Sequence, residues 1–322
     1  MKVTAKEKQY IFEDRRPFAS CHASSLVVLE KEDLLAVWFG GTKEGANDVA
    51  IWSSRRTRGE WSEPRKVAYK EGLPHWNPVL FRTKDGHLQL YYKVGHTIPH
   101  WSTMVATSLD GGASWSTPHP LVEGDVGGRG PVRSKPIYVS SGKLLAPASV
   151  ETLQQWDAFV DISDDDGITW TRSANVPVDH RGFPGKGIIQ PTLWESPEGV
   201  HMLLRSTAGA IYRSDSRDQG VTWSAAYRTT LPNNNSGIDL AQTESGVLAL
   251  VYNPVGTDKG PRTPLVVRLS ASNGETWDHE LVLESEPGEY SYPAIIAEQN
   301  RLYITYTWNR VRIVCWSLTL ET

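Results

Sequence analysis

Short segments that end in tryptophan recur at a nearly constant interval along the 322-residue chain, and this repeat constrains the fold more than any other feature. Four of these segments, which we call boxes, read SLDGGASW, SDDDGITW, SRDQGVTW and SASNGETW. A fifth, SRRTRGEW, keeps the serine and the tryptophan but lacks the acid. The box tryptophans are 54, 55, 53 and 54 residues apart, at Trp61, Trp115, Trp170, Trp223 and Trp277. A period of this length indicates a repeat architecture, and roughly six units of it fill the chain.

Runs rich in β-branched and aromatic residues lie between the boxes, and Gly, Asn and Asp interrupt them. Residues 34–40, 88–94, 200–206 and 301–308 are examples. About three such runs precede each box and one follows it, whereas no long stretch has helical periodicity. Because four strands per repeat are typical of a β-propeller, the sequence predicts an all-β fold, a six-bladed propeller.

The composition of a box suits a turn between two strands. Aspartate accepts backbone N–H groups, glycine adopts positive φ, and tryptophan packs as a large apolar plug. We therefore interpret the boxes as structural turns that lie away from the functional face. The last repeat has three runs, so we expect the N-terminal segment around Lys8 to Phe12 to add its fourth strand. Residues 1–322 would then form a single domain without an open sheet edge.

Composition excludes several functional classes. With 33 Lys and Arg against 37 Asp and Glu, the chain lacks the basic surplus of a nucleic-acid-binding protein. No apolar run reaches the roughly 18 residues of a membrane helix, and the N-terminus has no signal-peptide core. Since Cys21 and Cys315 are expected to be free thiols, we expect a cytoplasmic protein that binds neither nucleic acid nor membrane. No metal and no organic cofactor is implied, and the oligomeric state stays open.

The boxes resemble the Asp boxes of sialidases, a family of six-bladed propellers, and the resemblance extends to the segments between them. Residues 201–223, HMLLRSTAGAIYRSDSRDQGVTW, and residues 262–277, RTPLVVRLSASNGETW, resemble sialidase segments that carry two arginines of a carboxylate-binding triad. Residues 288–295, GEYSYPAI, resemble the motif of the tyrosine nucleophile. The resemblance implies Asp-box turns, a carboxylate-binding role for Arg205 and Arg262, and Tyr290 as the nucleophile.

The chain departs from the sialidase pattern at two positions, so it resembles a diverged branch. His22, in the stretch CHAS, occupies the place of the first triad arginine. Gln190 stands where sialidases have a glutamate that serves as the base for the tyrosine, and an amide cannot accept that proton. The acid/base aspartate of the family is expected in the loop of residues 40–52, where Glu44 and Asp48 are both candidates.

Other polar residues near the starts of repeats complete the predicted site. Glu195 or Glu289 could replace the missing base. Trp76 and Trp101 could stack on a sugar, although core packing explains them equally well. The further predicted substrate-binding residues are His75, Arg133, Lys135, Asn235 and Asp239.

These residues predict an exo-acting glycoside hydrolase that releases an acidic sugar from the non-reducing end of an oligosaccharide. Two arginines would bind the carboxylate, and Tyr290 would be the nucleophile or a proton shuttle. Glu44 or Asp48 would be the general acid, and His22 has a suitable ordinary pKa for proton transfer.

Two alternatives remain open on the sequence alone. In one, the same pocket performs β-elimination on a uronate, and a tyrosine or histidine removes the C5 proton. In the other, the propeller binds carbohydrate without catalysis. The identity of the sugar, the linkage and the stereochemical outcome stay open as well.

Overall fold

The computed structural model describes residues 2–14 and 16–321, in which 25 strands form six antiparallel sheets. Blade 1 consists of β2 (Ser20–Val28), β3 (Leu34–Gly41), β4 (Ala50–Thr57), β5 (Glu60–Trp61) and β6 (Arg65–Ala68). Blade 2 consists of β7 (His75–Arg82), β8 (Leu88–Val94), β9 (Ser102–Ser108) and β10 (His119–Pro120). Blade 3 consists of β11 (Ile137–Tyr138), β12 (Leu144–Glu151), β13 (Trp156–Ser163) and β14 (Thr171–Arg172).

The remaining strands complete three further blades. Blade 4 consists of β15 (Ile188–Ser196), β16 (Gly199–Ser206), β17 (Ala210–Ser216) and β18 (Tyr227–Pro232). Blade 5 consists of β19 (Asp239–Gln242), β20 (Leu248–Tyr252), β21 (Leu265–Ser270) and β22 (His279–Glu284). Blade 6 consists of β23 (Tyr290–Glu298), β24 (Arg301–Trp308), β25 (Arg312–Glu321) and β1 (Lys2–Tyr10). The helical elements in the described ranges are two single 3-10 turns, Glu30–Glu32 and Ile98–His100.

The predicted all-β, six-bladed propeller is confirmed. In each sheet the strands follow one another in chain order, except that β6 pairs with β4 in blade 1 and β1 forms the outer edge of blade 6. It pairs antiparallel with β25 from Lys2 opposite Glu321 to Tyr10 opposite Val314. No helix in the described part of the chain is long and apolar enough to cross a membrane.

The hydrophobic core is divided into clusters that each lie between two neighbouring blades. One box tryptophan packs against each of five clusters, always at the boundary with the preceding blade. Trp223 of blade 4, for example, joins the cluster shared by blades 3 and 4, and Trp277 of blade 5 joins the next one. The regular spacing of the tryptophans therefore arises because one tryptophan of each of these five blades packs against the preceding blade. Cys21 and Cys315 are free, buried thiols within the cluster between blades 6 and 1.

The box turns share one pattern of hydrogen bonds. In the box of blade 2, Ser108 Oγ donates to Asp110 Oδ1 at 2.8 Å, and the same oxygen accepts the Ser114 backbone N–H at 2.8 Å. Gly112 N donates to Ser108 Oγ at 2.8 Å. The boxes of blades 3 and 4 repeat these contacts within 0.1 Å, around Asp165 and Asp218. Each box follows the third strand of its blade, so it lies at the end of the propeller opposite to the start of the inner strand.

A polar network on that same end joins blades 4 and 5. His201 contacts Ser196 Oγ at 2.7 Å and Asp215 Oδ1 at 2.5 Å, in the order of a hydrolase triad. However, Arg213 lies 3.1 Å from the same imidazole nitrogen and donates to Asp215 at 2.8 Å. Arg213 also donates to Asn273 O of blade 5 at 2.7 Å, and the Asn273 amide donates to Ser196 Oγ at 3.2 Å, so the network holds the two blades together.

Candidate functional site

The inner strands of four blades carry a bulge near their first residues, where the register shifts relative to the second strand. Each bulge contains a non-glycine residue with positive φ, namely Ala23, Asn77, Gln190 and Tyr292. A bulge turns the side chain away from the direction that strand alternation would give it. Such backbone strain is common at functional sites. Proline follows three of these residues, where the interrupted pairing makes its missing N–H harmless.

Tyr292, at the bulge of blade 6, is the centre of the site. The His22 ring lies 4.2 Å from the Tyr292 ring. The guanidinium carbons of Arg133, Arg205 and Arg262 lie 5.3, 5.6 and 5.5 Å from its ring centroid, within the range of cation–π attraction. Arg205 Nη1 also donates to the Tyr292 hydroxyl at 3.0 Å. Residues from five blades or their connecting segments therefore converge on this phenol.

Arg205 is held by neutral partners. Its Nε donates to Asn235 Oδ1 at 3.0 Å, and its Nη1 donates to Gln190 Oε1 at 2.9 Å. The Gln190 amide in turn donates to the buried Glu151 carboxylate at 3.1 Å. Arg205 thus keeps its positive charge beside the phenol without a direct carboxylate partner among the described residues.

Arg133 braces the site from within. It is 1% exposed, and it donates to the backbone oxygens of Ser24 at 3.2 Å, Pro293 at 2.6 Å and Tyr292. Burial lowers its pKa to about 10, although the charge of Asp239 opposes that shift. Since its hydrogen bonds go to two inner strands, we assign Arg133 to holding the Tyr292 bulge rather than to contacting substrate.

An alternating row of charges lines the open side of the site. Glu289 accepts from Arg262 Nη1 at 2.8 Å and from Arg310 Nε at 2.6 Å, and Arg310 Nη1 reaches Glu44 at 2.6 Å. Burial of Glu289 would raise its pKa, but Arg310 and Arg262 outweigh this effect and hold the pKa below its usual value. These side chains remain 27% to 41% exposed, so a ligand can reach them.

His22 is kept neutral. Burial lowers its pKa well below the usual value, and the charges of Arg310, Arg262, Arg133 and Arg205 lower it further. Its Nδ1 lies 2.9 Å from the Thr307 hydroxyl. Because an imidazolium would be surrounded by guanidinium groups, His22 is better suited to supporting the Tyr292 ring than to accepting a proton.

The two predicted general acids differ in position. Glu44 reaches the site through Arg310. Asp48 instead accepts the Thr42 backbone N–H at 2.9 Å and the Thr42 hydroxyl at 2.6 Å, which closes the turn of its own loop. The geometry therefore connects Glu44, and not Asp48, to the cluster around Tyr292.

The Tyr290 side chain lies in the core between blades 5 and 6, although its backbone N–H donates to Arg262 O at 2.9 Å. It is 3% exposed, and burial raises the pKa of its hydroxyl. The reason for the discrepancy with the sequence prediction is the bulge, because the register of β23 shifts between Ser291 and Ala294 and turns Tyr292 into the site. The arginines that the sequence predicted beside Tyr290 therefore lie beside the Tyr292 ring.

Several other predicted residues lie outside the cluster. Lys135 Nζ donates to Asp239 at 3.1 Å, and this carboxylate also accepts from Thr192 Oγ1 at 2.8 Å and from Ile295 N at 2.9 Å. The pair thus ties inner strands together below the site. His75 is 2% exposed and stacks at 5.5 Å on Tyr92. Burial lowers its pKa, and we assign it to packing.

A cavity with a volume of about 430 Å³ lies at the other end of the axis, where the inner strands end. Lys135, Tyr138 and Glu195 are among its lining residues. Glu195 accepts from Ser140 N at 2.7 Å and Ser140 Oγ at 2.8 Å, so it cannot serve as a base for Tyr292. The polar cluster around Tyr292 lies instead at the starts of the inner strands.

Trp76 and Trp101 are 8% and 2% exposed and pack together with Val132. Trp76 Nε1 donates to Gly95 O at 2.9 Å. The placement favours core packing over sugar stacking for both tryptophans.

Sequence reasoning missed Arg310 and Glu151. Arg310 follows β24 in a tight turn, and the pairing of Trp308 with Tyr290 brings that turn to the site. The hairpin pattern of residues 290–317 could have revealed it. Glu151 ends an apolar run in blade 3, and nothing in its local sequence indicates that it faces Gln190. Within the described ranges, no group of three or more His, Cys, Asp or Glu side chains could hold a metal ion.

A BNR repeat-like domain profile matches residues 32–304 of the chain. No curated protein sequence matches it significantly. Among solved structures, a protein of unknown function from Dyadobacter fermentans is similar, with a TM-score of 0.81 and 19% identity, and 99% of each chain is covered.

Two sialidases share the fold. The Hadza microbial sialidase Hz136 has a TM-score of 0.76 and 18% identity, over 94% of this chain and 66% of its own. Trypanosoma rangeli sialidase has a TM-score of 0.76 and 13% identity, over 98% of this chain and 59% of its own. The present chain therefore spans 59% to 66% of the length of these two enzymes. At such identities the likeness concerns the fold.

Proposed function

The chain belongs to the BNR repeat-like family, and from that premise we propose that it is an exo-acting glycoside hydrolase that releases a terminal acidic sugar from an oligosaccharide. The observation that carries the proposal is the environment of Tyr292. A phenol that accepts a hydrogen bond from Arg205 at 3.0 Å lies beside further guanidinium groups at the open end of a propeller with the sialidase fold. Sialidases are the glycosidases that use a tyrosine instead of a carboxylate as nucleophile.

The charges of the site suit an acidic ligand. Arg262 and Arg310 are partly exposed, and they share the single Glu289 carboxylate, while Arg205 has neutral partners. Positive charge is therefore in excess around the phenol. A sugar carboxylate could accept from Arg262 and Arg310 in the planar, bidentate manner that guanidinium groups favour.

Tyr292 is proposed as the nucleophile. The phenol would pass its proton to solvent, because the Gln190 amide cannot accept it, and the phenolate oxygen would form a bond with the anomeric carbon while the bond to the leaving oxygen breaks. Water would later attack the same carbon and break its bond to the Tyr292 oxygen, which releases the sugar and returns the tyrosine. The donated hydrogen bond from Arg205 stabilises the phenolate that attacks. The phenol is neutral before activation, so it can approach a carbon next to a carboxylate without like-charge repulsion.

Glu44 is the proposed general acid. Glu44 pairs with Arg310, which also holds Glu289. A substrate carboxylate that takes over the contact with Arg310 would release the Glu44 carboxylate, which would then take up a proton from solvent and pass it to the leaving oxygen.

A uronate lyase is the second candidate, because both predicted general acids are engaged in contacts with other residues. In that reaction the Tyr292 phenolate would remove the C5 proton, the arginines would neutralise the uronate carboxylate, and the leaving oxygen would depart by β-elimination.

The test is a screen of acidic glycosides and uronate-containing oligosaccharides, run in parallel with the wild type and with Tyr292→Phe. We expect release of a saturated acidic monosaccharide by the wild type alone. An ultraviolet-absorbing unsaturated uronate would identify the lyase instead. Calorimetric binding of acidic sugars without any turnover, equal in both proteins, would support a non-catalytic binding propeller and overturn the proposal.

A further inference from the structure

A buried carboxylate stands behind the site, at the end of a linear row of hydrogen bonds. Glu151, the last residue of β12, is 7% exposed and accepts from Gln190 Nε2 at 3.1 Å. Gln190 Oε1 accepts from Arg205 Nη1 at 2.9 Å, and the same Nη1 donates to Tyr292 at 3.0 Å. The row therefore links blade 3 to the phenol of blade 6.

The Glu151 carboxylate on one side and the Arg205 guanidinium on the other determine the orientation of the Gln190 amide between them. An ionised carboxylate can only accept hydrogen bonds, and a guanidinium can only donate them. Gln190 must therefore turn its NH₂ to Glu151 and its oxygen to Arg205. The reverse orientation would place the NH₂ against the guanidinium and the oxygen against the carboxylate, and both contacts would be repulsive.

We propose that Glu151 is a positioning residue, which orients the Gln190 amide and through it holds Arg205 against the Tyr292 hydroxyl. This inference rests on the proposed role of Tyr292, but the geometry it concerns can be measured without a substrate. Neither Glu151 nor Gln190 touches the reacting atoms.

The charges that face Glu151 come from three directions. Arg205, Lys93 and Lys186 favour its ionised form, as does the donated hydrogen bond of Gln190. Burial nevertheless raises the pKa of Glu151. The carboxylate therefore costs stability at neutral pH, and this cost disappears as the pH falls and the group takes up a proton. A group retained at such a cost is expected where it serves the site.

Three variants test the proposal as a cycle: Glu151→Gln, Gln190→Glu, and the double exchange of both. In Glu151→Gln the second amide can donate or accept, so the orientation of Gln190 is no longer enforced. In Gln190→Glu two carboxylates oppose each other. In the double exchange, the amide at position 151 donates to the carboxylate at position 190, which accepts from Arg205, so every contact again has one donor and one acceptor.

The first readout is the hydrogen-exchange rate of the Arg205 Nη1 protons, which donate to Gln190 and Tyr292, followed by NMR and assigned with Arg205→Lys. We expect each single variant to accelerate this exchange about tenfold, and the double exchange to restore most of the protection. Equal protection in wild type and Glu151→Gln would overturn the proposal, as would a double exchange no better than the worse single variant.

The second readout is kcat on a substrate from the screen described above, where misplacement of Arg205 is expected to cost about tenfold to a hundredfold. This readout compares the wild type with Glu151→Gln only, because a glutamate at position 190 would also offer a base to Tyr292; KM should be less affected than kcat. Thermal unfolding at neutral pH separates positioning from a structural role, since Glu151→Gln should be at least as stable as the wild type. A variant that loses stability and activity together, without rescue, would contradict the proposal. Intact exchange behaviour without any turnover would count against the proposed hydrolase only.

Discussion

Backbone features recur from blade to blade at either end of the propeller: the box turn at one end, which we call the box end, and the bulge at the start of the inner strand, which we call the axis end. At the box end the side chains repeat as well, since Asp110, Asp165 and Asp218 accept the same hydrogen bond at 2.8 to 2.9 Å. At the axis end the positive φ of the bulge recurs, whereas the side chain differs between blades, for example Gln190 and Tyr292. The residues that build the fold thus recur from blade to blade, whereas each residue of the site occurs only once among the bulges.

This difference predicts how the protein responds to substitution. Loss of one box contact weakens one blade boundary among six, while the bulges and the arginines keep their places. Loss of one side chain at the axis removes a group that no other blade can replace. Substitutions at the box end should therefore lower mainly the free energy of unfolding, and substitutions at the axis end should lower mainly the activity.

The largest effect is expected for Tyr292→Phe, with Tyr290→Phe as a matched control on the same strand. Removal of the Tyr292 hydroxyl should lower kcat by about 10²–10⁴-fold, since no neighbouring group can form the same bond. Removal of the Tyr290 hydroxyl leaves the arginines untouched, because that residue lies in the core between blades. It should cost about 1 kcal/mol of stability at most. The measurement is steady-state kinetics together with chemical unfolding of both variants.

The reversed outcome of these two substitutions would contradict the placement of the nucleophile at the axis end. If Tyr290→Phe abolished turnover and Tyr292→Phe retained it, the sequence-based assignment of Tyr290 would be restored. The bulge of β23 would then have no functional meaning.

The sequence was sufficient for the fold because the box end is redundant. Five tryptophans at a constant spacing each pack at a blade boundary, so the period alone predicts the number of blades. A single altered copy, such as the box that ends in Trp61 without an acid, does not obscure the pattern.

The site was predicted only in part. Arg205, Arg262 and His22 lie beside the Tyr292 ring, and Gln190 contacts Arg205. The resemblance to sialidases had placed these four residues in one site, and their roles stay predictions. The choice of tyrosine was not predictable by alternation, because a bulge reverses the direction of a side chain without changing the composition of the strand. Contacts between blades, such as Glu151 with Gln190, join residues 39 positions apart and leave no local signal.

The second prediction concerns the box end. Trp223 is 7% exposed within the cluster between blades 3 and 4, so Trp223→Ala should lower the free energy of unfolding by about 3–5 kcal/mol. At a temperature where the variant remains folded, its kcat should stay within a few-fold of the wild type. Denaturant unfolding and kinetics on the same preparation check both statements. A selective loss of kcat in a folded variant would mean that the two ends are coupled.

The third prediction concerns Glu289, which holds Arg262 and Arg310 at the axis end. Its pKa is held below the usual value, so its ion pairs stabilise the protein above the ordinary glutamate pKa and are lost as the pH falls through the lowered value. Glu289→Gln should flatten this acidic limb of the stability curve and cost about 1 kcal/mol or less at neutral pH, since the pair is partly exposed.

The same substitution frees both guanidinium groups for an added anion. The affinity for an acidic monosaccharide such as D-glucuronate, measured by calorimetry, should therefore rise several-fold, with Glu286→Gln as a control that removes an exposed neighbouring carboxylate. A fall in affinity would show that Glu289 positions these arginines for the ligand and does not compete with it.

The smallest effect is a gain at the box end. The box of blade 5 has Ser272 at the position of the acid, and its hydroxyl already accepts the Thr276 backbone N–H at 2.8 Å. Ser272→Asp should add the second oxygen that Asp165 uses to accept from the Thr169 hydroxyl at 2.6 Å, and should raise the melting temperature by about 2 °C. The hydrogen bonds from Thr169 lower the pKa of Asp165 to about 2, so the added stability should be present at neutral pH and should vanish as the pH falls toward that value.

Asp165→Ser is the reciprocal control and should lower the melting temperature by a similar amount. If Ser272→Asp destabilised the protein, the boxes would not be interchangeable copies of one turn, and the contrast between a redundant end and a unique end would have to be restricted to blades 2 to 4.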